Sequence, residues 1–378
     1  MTDPILVVVF LRGGADALSL VSPTSDADFI AARPEPLRVL RQGDGAGRML
    51  ANPVADVDFR FHPEAAPFAD LYDAGDLSVV HAVGLTDVTR SHFDAEALME
   101  AAEGGTVGGG WLGRWLAAVA PGGPLPALAV GSALPRSLAG SEAAVGAHLS
   151  DLMLTAGHWL APALRARLAQ GLGAHPLFGR PFDRLAALSD AIGARIWDTQ
   201  QNAARAYTPS VEYPGDSSLS QPLMTVAQAI KSDLGLRIAT VDYGGWDTHV
   251  HQAGQFGDLT RGLSTALMAF WRDLGPRQQD VSVVVMSEFG RRLRANASGG
   301  TDHGRAGLMM VLGPQARGGR MLGRWPGLSN EALEESADLA VTTDYRAVLA
   351  EVLTGHMRTP DLGRVFPGLA PEPVGLWG

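Results

Sequence analysis

An α/β fold, with a mainly parallel central sheet flanked by helices, is the class that this 378-residue sequence predicts. Three observations carry it. Unbroken β-branched runs such as ILVVVFL (5–11) meet glycines directly, the pattern of strands buried on both faces. Such runs alternate along the chain with stretches of helical period. The unusual polar clusters fall just after the apolar runs, where ligands collect in sheets of this kind.

The elements follow in order. The run 5–11 comes after Pro4 and leads into RGGADAL. LSVVHAVG (77–84) is a second buried strand, followed by SHFDAEALMEAA, a helix starting from Ser91 with Asp94 three positions on, as in a capping box. Between 104 and 235 the texture changes: glycine- and proline-rich pieces, a helical pattern over 182–206, then a polar loop over 208–222. The chain thus reads as one domain over 1–378, with 104–235 as an insertion or cap. A strand over 236–242 runs out through Gly244 and Gly245. A helix over 259–274 places Leu259, Leu263, Leu267, Phe270 and Leu274 on one face, the spacing of a helix covering a sheet. Strands over 281–286 and 307–312 follow, and TTDYRAVLAEVLTGH supplies a last helix.

Composition narrows the chemistry. The formal net charge of −10 offers no broad basic surface for nucleic acid. There is no cysteine, so thiolate zinc sites, disulfides and thiol nucleophiles are excluded, and any metal must be held by His, Asp, Glu or hydroxyl groups. No apolar stretch reaches the length of a membrane span. The start lacks the basic and small-residue features of a signal peptide. The expected compartment is therefore the periplasm if an export signal preceded this sequence, and the cytoplasm otherwise. Lys231 is the single lysine, so positive charge is carried almost wholly by arginine, which suits bidentate binding of phosphate or sulfate. Nothing in the composition fixes an oligomeric state.

Four clusters carry potential chemistry. In RGGADAL, Asp16 lies beyond the first strand, either as a helix N-cap or beside glycine amides that face an anion. Ser91 sits at a helix start, where it either caps the helix or offers a hydroxyl at the positive end of the helix dipole to hold or attack a phosphate. Arg90 and His92 flank it, within reach of ester oxygens. In WDTHVHQ, Asp247, His249 and His251 alternate, so an extended backbone projects all three to one side as metal ligands. Finally, MSEFGRRLRANASGGTDHG places Glu288 at a strand end, to ligate a metal or pair with Arg291, and brings Asp302 and His303 immediately before the next strand. Arg291, Arg292 and Arg305 are available for anion contacts or as a solvated basic loop.

The succession FLRGGADAL, RSHFDAEALME, GGWDTH, MSEFGRR and GGTDHG resembles the DUF1501 family, from about residue 5 to the FPGL at 366–369. That family is described as sulfatase-like and placed with the alkaline phosphatase superfamily. The resemblance implies hydrolysis of phosphate or sulfate esters by metal ions at the carboxyl edge of the sheet. It implies Asp16 as a metal ligand, Ser91 as nucleophile, and Glu288 and His303 as ligands from late strands. Two departures stand out: Glu288 is followed by Phe289 and Gly290 where the superfamily has an Asp-His pair, and Ala17 and Ser19 replace a Gly and an Asn.

The resulting expectation is a metal-dependent hydrolase acting on a small anionic ester. Asp247, His249 or His251, and His303 hold one divalent ion; Asp16 and Glu288 hold a second, bridged by Ser91; Arg12 or Arg291 grips the remaining oxygens, with His92 close by. Asp302 is a further candidate ligand. Zinc is the first choice of metal, with manganese or iron behind it. The rival is a non-catalytic anion-binding or scaffolding protein that keeps a phosphatase-like fold. A third reading makes the polar residues a structural network under the insertion.

Overall fold

The computed structural model describes residues 3–53, 56–102, 108–154, 160–314 and 316–377. Parts of the expected 104–235 insertion, at 104–107 and 155–159, lie outside the described residues.

The nine strands of the main sheet are β1 (Ile5–Leu11), β2 (Leu77–Gly84), β3 (Ala127–Val130), β4 (Ala144–Gly146), β5 (Ile238–Tyr243), β6 (Val281–Ser287), β7 (Gly307–Leu312), β8 (Arg320–Leu322) and β9 (Thr343–Asp344). Their spatial order is β8-β2-β7-β6-β1-β5-β3-β4, with β9 also beside β2. β1 lies near the centre, parallel to β6 on one side and β5 on the other. Only β7 runs against its neighbours: it is antiparallel to both β6 and β2. The fold is α/β with a mostly parallel central sheet.

Alternation along β1 explains why its whole run is apolar. Ile5, Val7, Val9 and Leu11 face one core layer, packed with Leu263, Leu267 and Phe270 of the helix Gln252–Leu274. Leu6, Val8 and Phe10 face the other, with Trp111 and Trp115 of the helix Trp111–Val119 and Val348 and Leu349 of the helix Tyr345–Glu351. A strand sandwiched between helical layers has no solvent face and so no polar alternation. Trp111, Trp115 and Trp246 are all buried core side chains.

Some bounds differ from the sequence pattern. The helix over 182–206 is Gly179–Ile196, followed by a small antiparallel pair, Trp197–Asp198 with Ala203–Ala204. Asp198 stops the helical run there: its carboxylate accepts hydrogen bonds from the amides of Gln200 and Gln201, which closes a turn. The helix expected from 259 starts earlier, at Gln252, after His251 in a left-handed conformation.

The single lysine has a structural task. Lys231 donates to the buried carboxylate of Asp273, which also receives the Tyr207 and Tyr213 hydroxyls and tethers the 207–213 loop to the long helix. None of the helices among the described residues is long and apolar enough to cross a membrane.

Candidate metal centre

The carboxyl ends of β1, β5 and β6 open on one rim. β5 leaves through Gly244 and Gly245 to Asp247, while β1 turns at Gly13 and Gly14 directly against it. Gly13 has φ +119°, and a Cβ there would sit 2.5 Å from the Asp247 amide nitrogen, so the two turns can meet only with glycine in place.

β7 reaches the same rim from the opposite direction. Because it is antiparallel, its start, not its end, lies at the carboxyl edge, and the residues just before it are delivered to the site. They form a hairpin, Arg291–Ala295 with Thr301–His303. Gly300 lets this hairpin lie on the 248–249 backbone; a Cβ there would be 2.3 Å from the His249 carbonyl oxygen.

Three imidazoles converge on one carboxylate oxygen. Nε2 of His249, His303 and His92 lie 3.0, 3.1 and 3.4 Å from Oδ1 of Asp247. Nε2 of His249 and Nε2 of His303 are 2.8 Å apart. Ligand atoms of His92, Asp247 and His303 all lie within 4.8 Å of one another, the spacing that a metal ion would need.

Each ring is held from behind. His92 Nδ1 is 2.7 Å from Glu288 Oε1, His249 Nδ1 is 3.1 Å from Asp302 Oδ1, and His303 Nδ1 is 2.8 Å from the Arg90 carbonyl oxygen. Those partners can only accept, so each Nδ1 carries the proton. In the neutral rings every Nε2 therefore presents a lone pair toward Asp247 and its neighbours. The residues fit a cation. His92 Nε2 is buried with no hydrogen-bond partner, and the His249–His303 contact sets lone pair against lone pair unless a proton or a metal ion lies between.

The remaining expected residues take several places. Glu288 is wholly buried behind His92, accepting from the Gly13 amide and from Ser287 Oγ. Asp302 sits behind His249, with Asn296 Nδ2 donating to the same oxygen. Ser91 caps the helix His92–Ala101, its Oγ accepting from the Asp94 amide at a long 3.4 Å; in the chain it stands between Arg90, whose carbonyl holds His303, and His92.

Three expected residues are placed away from the converging rings, and a fourth lies beneath them. Asp16 is fully buried: Arg33 donates to both its oxygens, Gln252 and Ser19 donate to one, and it caps the short helix Ala17–Leu20. His251 is exposed at the start of the long helix, and its side chain caps nothing. Arg12 is not turned to an open rim; it pairs with Glu100, Glu96 and Asp242. Arg291, expected to grip substrate, is buried under the site. It donates to the carbonyls of Gly13, Gly14, Trp246 and Thr301 and to Asp247 Oδ1 at 2.7 Å. Five donors in a planar fork suit a junction of three segments.

Sequence reasoning missed Arg33, Gln252 and Asn296. Arg33 ties Asp16 to the Arg292 and Leu293 carbonyls of the hairpin, and Gln252 links Asp16 to the Thr301 hydroxyl. No periodicity or motif marks them. Asn296, between GRRLRA and SGG, carried a turn signal, and its side chain accepts from the Ser298 and Gly300 amides.

Charge is set by these contacts. Burial works against ionising Asp247, but the hydrogen bond and positive charge of Arg291 outweigh it and hold the carboxyl below the usual carboxylate range. The bond to Glu288 raises the pKa of His92, while burial lowers that of His303. For Asp16, burial is again opposed and outweighed by Arg33, so that its pKa too falls below the usual carboxylate range.

Topology and site together define an α/β protein with a histidine-carboxylate cluster at the carboxyl edge of its sheet. The chain belongs to the family described as Protein of unknown function (DUF1501), which residues 81–369 match. No curated protein matches it. Similar solved structures include a sulfatase, PsFucS1, from Pseudoalteromonas sp., at 10% identity over 98% of this chain and 71% of that one, with a TM-score of 0.40. The C-terminal periplasmic domain of EcEptC from Escherichia coli has 8% identity over 98% of this chain and 88% of that one, with a TM-score of 0.41. An alkaline phosphatase from the Antarctic bacterium TAB5 has 10% identity over 83% of this chain and 93% of that one, with a TM-score of 0.36. At such scores nothing of their sites is carried over to this chain.

Proposed function

We propose that this protein is a metal-dependent hydrolase of phosphate or sulfate esters, with Ser91 as nucleophile. The observation that carries the reading is the convergence of three imidazole lone pairs on Asp247, next to a serine at the N-terminus of a ten-residue helix. His92, Asp247 and His303, with His249, would hold a divalent ion, and the nitrogen-rich donor set suits zinc first. Such an ion, when bound, lowers the pKa of a nearby hydroxyl and offsets the negative charge that builds up during ester cleavage.

The chain's own groups do the rest. The helix N-terminus favours an anion beside Ser91, with a contribution on the order of 0.3–1 kcal/mol. The long Ser91–Asp94 contact leaves the hydroxyl weakly engaged and free to turn to a substrate. Ser91 Oγ forms a bond to phosphorus or sulfur as the ester oxygen leaves, taking a proton to become an alcohol. Water then breaks the serine ester, releasing phosphate or sulfate and restoring the hydroxyl.

The test is Ser91→Ala, loaded with zinc or manganese and assayed on 4-nitrophenyl phosphate and 4-nitrophenyl sulfate. Turnover falls to background while bound metal is unchanged. Activity equal to the unaltered protein removes Ser91 from the mechanism. The rival, a non-catalytic binding or scaffolding protein, draws on the withdrawal of Asp16 into its pair with Arg33. A metal-loaded protein that binds inorganic phosphate but turns over neither ester supports that rival.

A further inference from the structure

We infer that the centre is built for a single divalent cation, with Glu288 and Asp302 as positioning residues that lock the histidines, and with Arg33 and Arg291 supplying as fixed charges what a second cation would. The inference rests on the metal-dependent reading above, though not on turnover.

The count of committed lone pairs decides it. A second ion would draw on Asp16 and Glu288. Asp16 already receives two donors from Arg33, one from Gln252, the Ser19 hydroxyl and the Leu18 and Ser19 amides. It is fully enclosed, so a cation there would have to expel a guanidinium from a buried pair. Glu288 receives the Gly13 amide, the His92 Nδ1 proton and the Ser287 hydroxyl. Turning it onto a metal would release His92 from its orientation. Asp16 has no surplus acceptor capacity, and Glu288 keeps at most one free site, on Oε2, too little to hold a second ion by itself.

The first position is the reverse case. Three imidazole nitrogens present unshared pairs around Asp247, and one of them is buried without a partner. Their rotations are fixed because each opposite nitrogen is bonded to an acceptor, two of them carboxylates. A carboxylate behind a ligating histidine sets its tautomer and raises its basicity, and losing it costs about 10–100-fold in metal affinity. Arg291, tied down by four carbonyls, already places one positive charge on Asp247, which leaves less room for a dinuclear arrangement around that carboxylate.

The experiment is metal stoichiometry on the full chain, stripped with chelator and titrated with zinc and, separately, manganese, by calorimetry and elemental analysis. One equivalent is expected. Asp302→Asn, on the half-exposed side of the hairpin, and Glu288→Gln each keep one equivalent but bind it about 10–100-fold more weakly. Nitrogen-15 spectra of the zinc-loaded protein should show His92, His249 and His303 protonated at Nδ1 and metal-shifted at Nε2. Should the buried Glu288→Gln fail to fold, Asp302→Asn and the spectra still decide. Two tight equivalents overturn the inference while leaving the hydrolase reading intact. No tight equivalent, with one imidazolium proton shared between His249 and His303, overturns it as well. One equivalent without turnover of any ester sinks the hydrolase and leaves the one-ion site standing.

Discussion

Asp16 and Asp247 are near twins in sequence and opposites in the fold. Each follows a buried parallel strand by a glycine-bearing turn, and each faces a buried arginine, Arg33 or Arg291. Asp16 is fully enclosed and surrounded by donors on every side. Asp247 keeps about half its side chain exposed, at 49%, and faces three imidazole Nε2 atoms on its open side, which in neutral rings protonated at Nδ1 carry lone pairs. The difference teaches what separates an acid that organises a site from one that serves it. A structural carboxylate has its charge met by fixed donors. Asp247 sits where, in the neutral rings, acceptors outnumber donors, an arrangement that a proton or a bound cation would relieve.

The largest effect should come from removing the counter-charge on the enclosed side. Arg33→Ala strands Asp16 in the interior and frees two hairpin carbonyls, with an expected loss of about 3–5 kcal/mol in urea unfolding. If the loss is under about 1 kcal/mol, Asp16 is not the buried organiser described here. Acid reports on the same pair. The folded-state pKa of Asp16 is lowered, so its contribution is complete above the ordinary carboxylate pKa of about 4 and is lost as pH falls further. Asp16→Asn should therefore show a shallower decline of stability than the unaltered protein between about pH 4 and 2.

A middle-sized effect probes the link between the twins. Thr301→Val breaks the buried hydrogen bond to Gln252, which connects Asp16 to the strand carrying His303, and should cost about 1–3 kcal/mol. The smallest effect on stability belongs to the open side. Asp247→Asn should change unfolding free energy by about 1 kcal/mol or less, because its ion pairs are half solvated, yet it should abolish tight zinc binding. A large stability loss in that variant would erase the distinction between the two aspartates.

How far the sequence foretold this follows the same division. Strands 5–11, 77–84 and 307–312 were legible to the residue, because a run buried between two helical layers is apolar at nearly every position; Ser78 and His81 are the exceptions in these three. Asp247, His249 and His303 were legible because ligand-type side chains after a glycine exit are dense and local. Their supports were not. The Arg90 carbonyl behind His303 is a backbone atom with no sequence signature, and Arg33 reaches Asp16 from a loop with no periodic mark. Arg291 looked like a surface cation because its four anchoring carbonyls come from three segments that only the folded chain assembles. The reversed direction of β7 had one readable sign: the 288–306 connection contains no helical pattern, and parallel neighbours need a crossover of a dozen or more residues, usually helical.

That reversal has a consequence for how such a protein diversifies. Both ends of the 288–306 segment open on the same rim, so the segment carries Glu288, Arg291, Asp302 and His303 to the site and never crosses the sheet. Changes at Ala297 and Ser298 in its tip, with Asn296 and Gly300 kept, would remodel the rim without rethreading a single strand. The tip also accepts no large insertion for free, because the Ser298 and Gly299 carbonyls receive the His251 and Gln252 amides at the start of the long helix.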